Sequence, residues 1–188
     1  MRLSREAQRK FGVAATICWM TVPAAWGIAT VVDRTQPWEG TPQRWFFLGW
    51  AALMAAGALT TLVVASDRGD RPRLHTAGVI TMILGVAISA GIGWAIPLWT
   101  TTFGVGLALL AISGRTQPST WLMAGGFIAA TVAFIVISAL ELGTPDVHGD
   151  YPAAWTTATI VAAAGAAVGL GWRTVSIGST ADDVVPVG

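Results

Sequence analysis

Five apolar blocks, residues 11–32, 45–65, 76–113, 121–142 and 153–172, make up most of the chain, and Glu141 is the only charged residue inside them. Four of the blocks are about 20 residues long, the length of helix that crosses a ~30 Å hydrocarbon layer at 1.5 Å per residue. Only 11% of the 188 residues are charged and 54% are hydrophobic. An average soluble domain is about 25% charged. Lipid is the solvent in which such a composition makes sense, because a water-facing surface needs more charge than this chain has.

The block at 76–113 is the exception. As one helix it would measure roughly 57 Å, nearly twice the layer, and tilt does not absorb the excess. Pro97 removes a backbone donor and disfavours helix at Ile96, while Gly91 and Gly93 loosen the turn before it. Trp94 and Trp99 flank the break as interfacial aromatics would. This local chemistry predicts two helices, 76–95 and 98–113. Charge gives the same answer. With six helices and a cytoplasmic N-terminus, nine of the 11 basic residues face inward and only Arg34 and Arg44 face outward. With five helices Arg115 and Arg173 move outside, and the positive-inside rule is served less well.

The expected fold is therefore all-α: an integral membrane bundle of six transmembrane helices in three hairpins, both termini cytoplasmic. The helices are expected at 11–32, 45–65, 76–95, 98–113, 121–142 and 153–172, with 1–173 as one domain and 174–188 as a flexible tail. The first apolar block is longer than a signal-peptide core and ends in no small-x-small site, so it reads as a retained helix, kinked at Pro23. Helices two, four and six each carry Trp near the outer end and Arg past the inner end, as an aromatic belt and inward positive charge dictate.

Lipid gives no hydrophobic drive to helix association, so small residues must let backbones approach. Gly85, Ser89 and Gly93 lie four apart, as do Gly104 and Ala108, Gly126 and Ala130, Gly165 and Gly169, and Ala51 and Ala55. These stripes predict a compact bundle. They also make the Gly85 face a candidate contact with a partner.

Candidate binding residues sit on an otherwise apolar background. Trp19 and Trp26 flank Pro23, and Trp94, Trp99, Thr100, Thr101, Trp155, Thr156 and Thr157 gather toward the expected outer mouth. Most of the ten Trp map to the outer interface, where an aromatic belt is the ordinary reading. The segment "ELGTPDVHGDYP" places Asp146, His148 and Asp150 at alternate positions, a carboxylate–imidazole set suited to a divalent metal. A solvated polar loop explains the same residues. The lone Cys18 offers no disulfide or thiolate cluster, and no cofactor is implied.

No ionisable side chain falls near the centre of any expected helix, which argues against ion-coupled transport. No nucleophile–base pair, phosphate loop or zincin motif is present. A net charge of +1 without a dense basic cluster argues against nucleic acid. The expected role is that of a non-catalytic accessory subunit in a membrane complex, in contact with the bilayer and with other membrane subunits or copies of itself. The alternative is a binding or permeation protein, a transporter component for a small neutral or apolar solute. A membrane enzyme centred on Asp146–His148–Asp150 has least support. Arg outnumbers Lys ten to one, and Ala and Gly abound. This composition associates the chain with a bacterial cytoplasmic membrane.

Overall fold

A computed structural model describes residues 4–35, 41–66, 70–91, 96–114, 118–141 and 152–182; the side chains of 26–35, 41–48, 50–51, 89–91, 96, 141, 152, 155 and 177–182 lie outside the description. The described residues form six α-helices and no strand. They are α1 (Arg5–Thr35), α2 (Thr41–Ala65), α3 (Pro72–Gly91), α4 (Ile96–Ser113), α5 (Pro118–Glu141) and α6 (Pro152–Asp182). The long apolar block is thus two helices, with the reversal between Gly91 and Ile96.

Proline sets where the later helices begin. Pro42, Pro72, Pro97, Pro118 and Pro152 each occupy the first or second position of α2 to α6. There the missing N–H has no intrahelical acceptor to lose, and φ is already helical. Pro23 is interior to α1, where it cannot donate to the Trp19 carbonyl, yet the helix continues through it.

Each helix packs on the next, and α6 packs on α1, so the six close into a ring. Neighbours run antiparallel. Gly78 lies against Leu110 while Gly85 lies against Phe103, and Gly104 meets Phe127 and Ile128 on α5. On the α5–α6 seam the backbones touch: a Cβ on Gly126 would lie 2.5 Å from the Gly165 Cα. One turn away, a Cβ on Gly169 would lie 2.6 Å from the Ser119 carbonyl oxygen. The glycine stripes on α3, α4, α5 and α6 therefore let the chain pack against itself. The Gly85 face is closed by α4 and is not available to a partner, which corrects that expectation. On α2 Gly57 makes a close approach, against the Trp19 ring; the side chain of Ala51 lies outside the description.

Two helical stretches, Pro118–Leu140 and Thr156–Ser176, are long and apolar enough to cross a membrane; Ala52–Ala65, Pro72–Ile88 and Pro97–Ser113 are shorter apolar helices. The N-terminal end of α1 and the C-terminal end of α6 differ from expectation. Apolar length predicts helix from 11 and to 172, but α1 starts at Arg5 and α6 continues to Asp182. These two ends support each other. Thr174 packs on Gly12, Gln8 and Arg173 are buried, and the Ser4 hydroxyl caps α1 by accepting from the Ala7 N–H at 3.2 Å.

One end of the bundle gathers the described basic side chains: Arg5, Arg9, Lys10, Arg71, Arg73 and Arg173. At this end the N–H groups of Asp70 and Arg71 donate to the Ser113 carbonyl at 2.8 and 3.0 Å. They supply partners for a helix C-terminus that would otherwise lack them, and they tie the approach to α3 to the end of α4.

The sorting of side-chain types is unusual for a water-soluble bundle. Among the described residues, half of the buried hydrophobic ones are alanine and none is isoleucine. Ile17, Ile80, Ile83, Ile128, Ile135 and Ile160 are all exposed, Ile135 by 57%, as are Val168 by 59% and Leu140 by 79%.

Candidate functional site

The interior offers two polar spots joined by an aromatic cluster. Phe127 of α5 is the hub of the cluster. Its ring centroid lies 5.4 Å from Trp19 of α1, 5.8 Å from Trp99 of α4 and 4.8 Å from Phe103 of α4. The two Trp contacts are edge-to-face, the arrangement that aligns a ring's positive edge with its neighbour's negative face. Trp99, Phe103 and Leu107 recur four apart, so they share one stripe of α4 and point together into the ring.

The first polar spot joins α1 to α2. The Trp19 indole N–H donates to the Thr61 hydroxyl at 2.9 Å, and that hydroxyl donates to the Gly57 carbonyl at 2.7 Å. Trp19 is 1% exposed and Thr61 is fully buried. Both protons have acceptors, as a buried polar group requires.

The second spot joins α4 to α5. The Thr131 hydroxyl donates to the Phe127 carbonyl at 3.1 Å. With its proton committed there, it accepts from Thr100 at 2.8 Å and from Thr101 at 3.2 Å. The single Thr101 proton is shared between Thr131 and the Pro97 carbonyl. Thr100 and Thr131 are buried and Thr101 is exposed. The group contains no base and no metal ligand. It can orient or bind a hydroxyl or carbonyl, but it has no means to move a proton at neutral pH.

Of the residues expected from sequence, Trp19, Thr100 and Thr101 fall within these two spots and Trp99 in the aromatic cluster between them. Trp99 corrects its assignment to an interfacial belt: it is 3% exposed and packs in the interior. Thr156 and Thr157 are half-buried on α6. The side chains of Trp26 and Trp155, and residues Trp94, Asp146, His148 and Asp150, lie outside the described residues. Among the described residues no group of three or more His, Cys, Asp or Glu is placed to hold a metal. Sequence reading missed Thr61, Phe103, Phe127 and Thr131. The available signal was helical phase, since Thr131 is one turn from Phe127 and Thr61 one turn from Gly57.

No protein-family model matches the chain, and neither a curated protein nor a solved structure does.

Proposed function

We propose that the chain is a multi-pass membrane protein whose six helices all cross the bilayer, with the basic end in the cytoplasm, and that it serves as a non-catalytic subunit of a membrane complex. The observation that carries this reading is the inverted sorting of aliphatic side chains. Among the described residues no isoleucine is buried and most exposed large side chains are Ile, Val or Leu, while the interior is built of alanine, glycine, threonine and the aromatic cluster with a few larger aliphatics such as Val22, Leu107 and Leu170. In water each exposed aliphatic side chain would forgo ~1.5–3 kcal/mol of burial. In lipid the outward position carries no such loss, and close packing of small residues is what holds helices together. Residues 118–140 and 156–176 meet the length requirement outright. The 18 residues of α4 would reach about 27 Å, close to the hydrocarbon thickness.

What supports a subunit role is the apolar surface that the exterior offers. Thr61 accepts from Trp19 on α1, and Thr100 of α4 and Thr131 of α5 bond to each other, so these hydroxyls act first as clasps. A solute-binding protein would have to release them. The test is to extract the protein from its own membrane in mild detergent and weigh the intact particle by native mass spectrometry. Added mass from another membrane protein supports the subunit reading. A particle free of other proteins but retaining a small non-lipid molecule refutes it in favour of solute binding.

A further inference from the structure

We infer that the basic end of the bundle is a recognition surface for anionic phospholipid headgroups, centred on Arg71 and Arg73. The inference rests on the membrane reading above and adds to it a specific class of lipid. Arg5, Arg9, Lys10, Arg71 and Arg73 are all exposed at this end. The acidic side chains described there are Glu6 and Asp70, and Glu6 is held by Lys10 at 2.7 Å. Among the described side chains positive charge is therefore in excess, and it is all arginine once Lys10 is paired.

Three features suit this surface to a phosphodiester at the bilayer surface. Guanidinium presents a planar fork of donors that matches phosphate oxygens better than an ammonium does. The arginines at the start of α3 are preorganised, because the Asp70 and Arg71 N–H groups are both bonded to the Ser113 carbonyl. That bonding uses main-chain atoms and leaves the Arg71 side chain exposed for a ligand. Lastly, Trp121 near the start of α5 and Trp172 near the same end of α6 are 43% and 58% exposed. Exposed tryptophan marks headgroup depth, so the arginines stand where lipid phosphates lie. Each arginine near an anionic bilayer surface strengthens attachment about five-fold, an effect that decays within a Debye length.

The test uses the full chain in vesicles of phosphatidylcholine alone and of phosphatidylcholine mixed with phosphatidylglycerol. Native mass spectrometry of the protein released from the mixed vesicles reads which lipid stays bound. Phosphatidylglycerol should be retained well above its share of the bilayer, and Arg71→Gln and Arg73→Gln should each cut that enrichment about five-fold. Neither change touches the main-chain bonds to Ser113, so fold is preserved, and unchanged far-UV circular dichroism checks this. Should the start of α3 prove sensitive, Arg5→Gln with Arg9→Gln should lower enrichment in the same direction. Equal retention of the two lipids, or enrichment unchanged in Arg71→Gln/Arg73→Gln, would overturn the inference while leaving the membrane reading intact. Co-purification of an acidic protein without phosphatidylglycerol enrichment would overturn it too, and would assign the arginines to a protein contact. Failure to insert into either vesicle would refute the membrane reading itself.

Discussion

Gly125 and Gly126 are neighbours on α5, and the same substitution should move stability in opposite directions at the two positions. A Cβ on Gly126 would meet the Gly165 Cα at 2.5 Å and its carbonyl carbon at 3.2 Å, while a Cβ on Gly125 would meet nothing within 4 Å. Carbon atoms rest at about 3.5–4.0 Å, so Gly126→Ala forces α5 and α6 apart by roughly 1 Å. Backbone cannot yield as a flexible side chain would. Parting the seam by that much forfeits about a quarter to a half of the dispersion energy of every contact along it, including Met123 against Gly169. Overpacking of this kind costs about 1–3 kcal/mol. The alanine recovers about 0.8–1.0 kcal/mol of helix propensity. The expected net loss for Gly126→Ala is therefore about 0–2 kcal/mol, whereas Gly125→Ala should gain about 0.5–1 kcal/mol. Unfolding by SDS titration in mixed micelles, followed by tryptophan fluorescence, reads both. If Gly126→Ala is as stable as Gly125→Ala, the α5–α6 backbone contact is not where the structure puts it.

Three further outcomes follow from the same reasoning. Thr61→Val strands the buried Trp19 N–H and should cost about 1–3 kcal/mol, while Trp19→Phe removes the donor and leaves Thr61 its Gly57 acceptor, so Trp19→Phe should lose less from hydrogen bonding than Thr61→Val; the same SDS titration compares them. Ile135→Arg places a charge on an outward face of α5 and should impair insertion by about 2.5–3.5 kcal/mol, read as the inserted fraction in a translocon assay, and normal insertion would count against α5 as a span. Lys10→Ala breaks the exposed pair with Glu6 and should change stability by less than about 0.5 kcal/mol in the same titration.

The number of helices was legible because its determinants are local and strong. Pro97 with its glycine neighbours breaks the third block wherever the rest of the chain goes, and the distribution of arginine tests the count independently. The N-terminal bound of α1 and the C-terminal bound of α6 were less legible. Apolar length reports only the stretch that suits hydrocarbon, and Arg5–Lys10 and Arg173–Asp182 extend as helix beyond it. Their reason to be helical lies in each other, through Gly12 against Thr174. That is a contact between residues 162 positions apart, and no local pattern announces it.

Tryptophan and glycine show the same limit from two sides. Trp99 beside Pro97 has the composition of an interfacial anchor, and its position alone gives no reason to doubt it. Only its phase with Phe103 and Leu107 turns it inward. Glycine spacing correctly marked where helices approach, yet spacing is blind to which helix approaches. Gly85 has the same signature whether it meets α4 or another protein, and it meets α4. This changes where a partner is to be sought. Among the described residues, the stripe glycines Gly85, Gly104, Gly126, Gly165 and Gly169 are already occupied within the ring. The outward faces of α5 and α6, which carry Gly125 and Gly171 with open space beyond them, are where backbone can still approach backbone. A partner subunit that docks there would be disturbed by Gly125→Leu, a change the folded ring itself has room to accept.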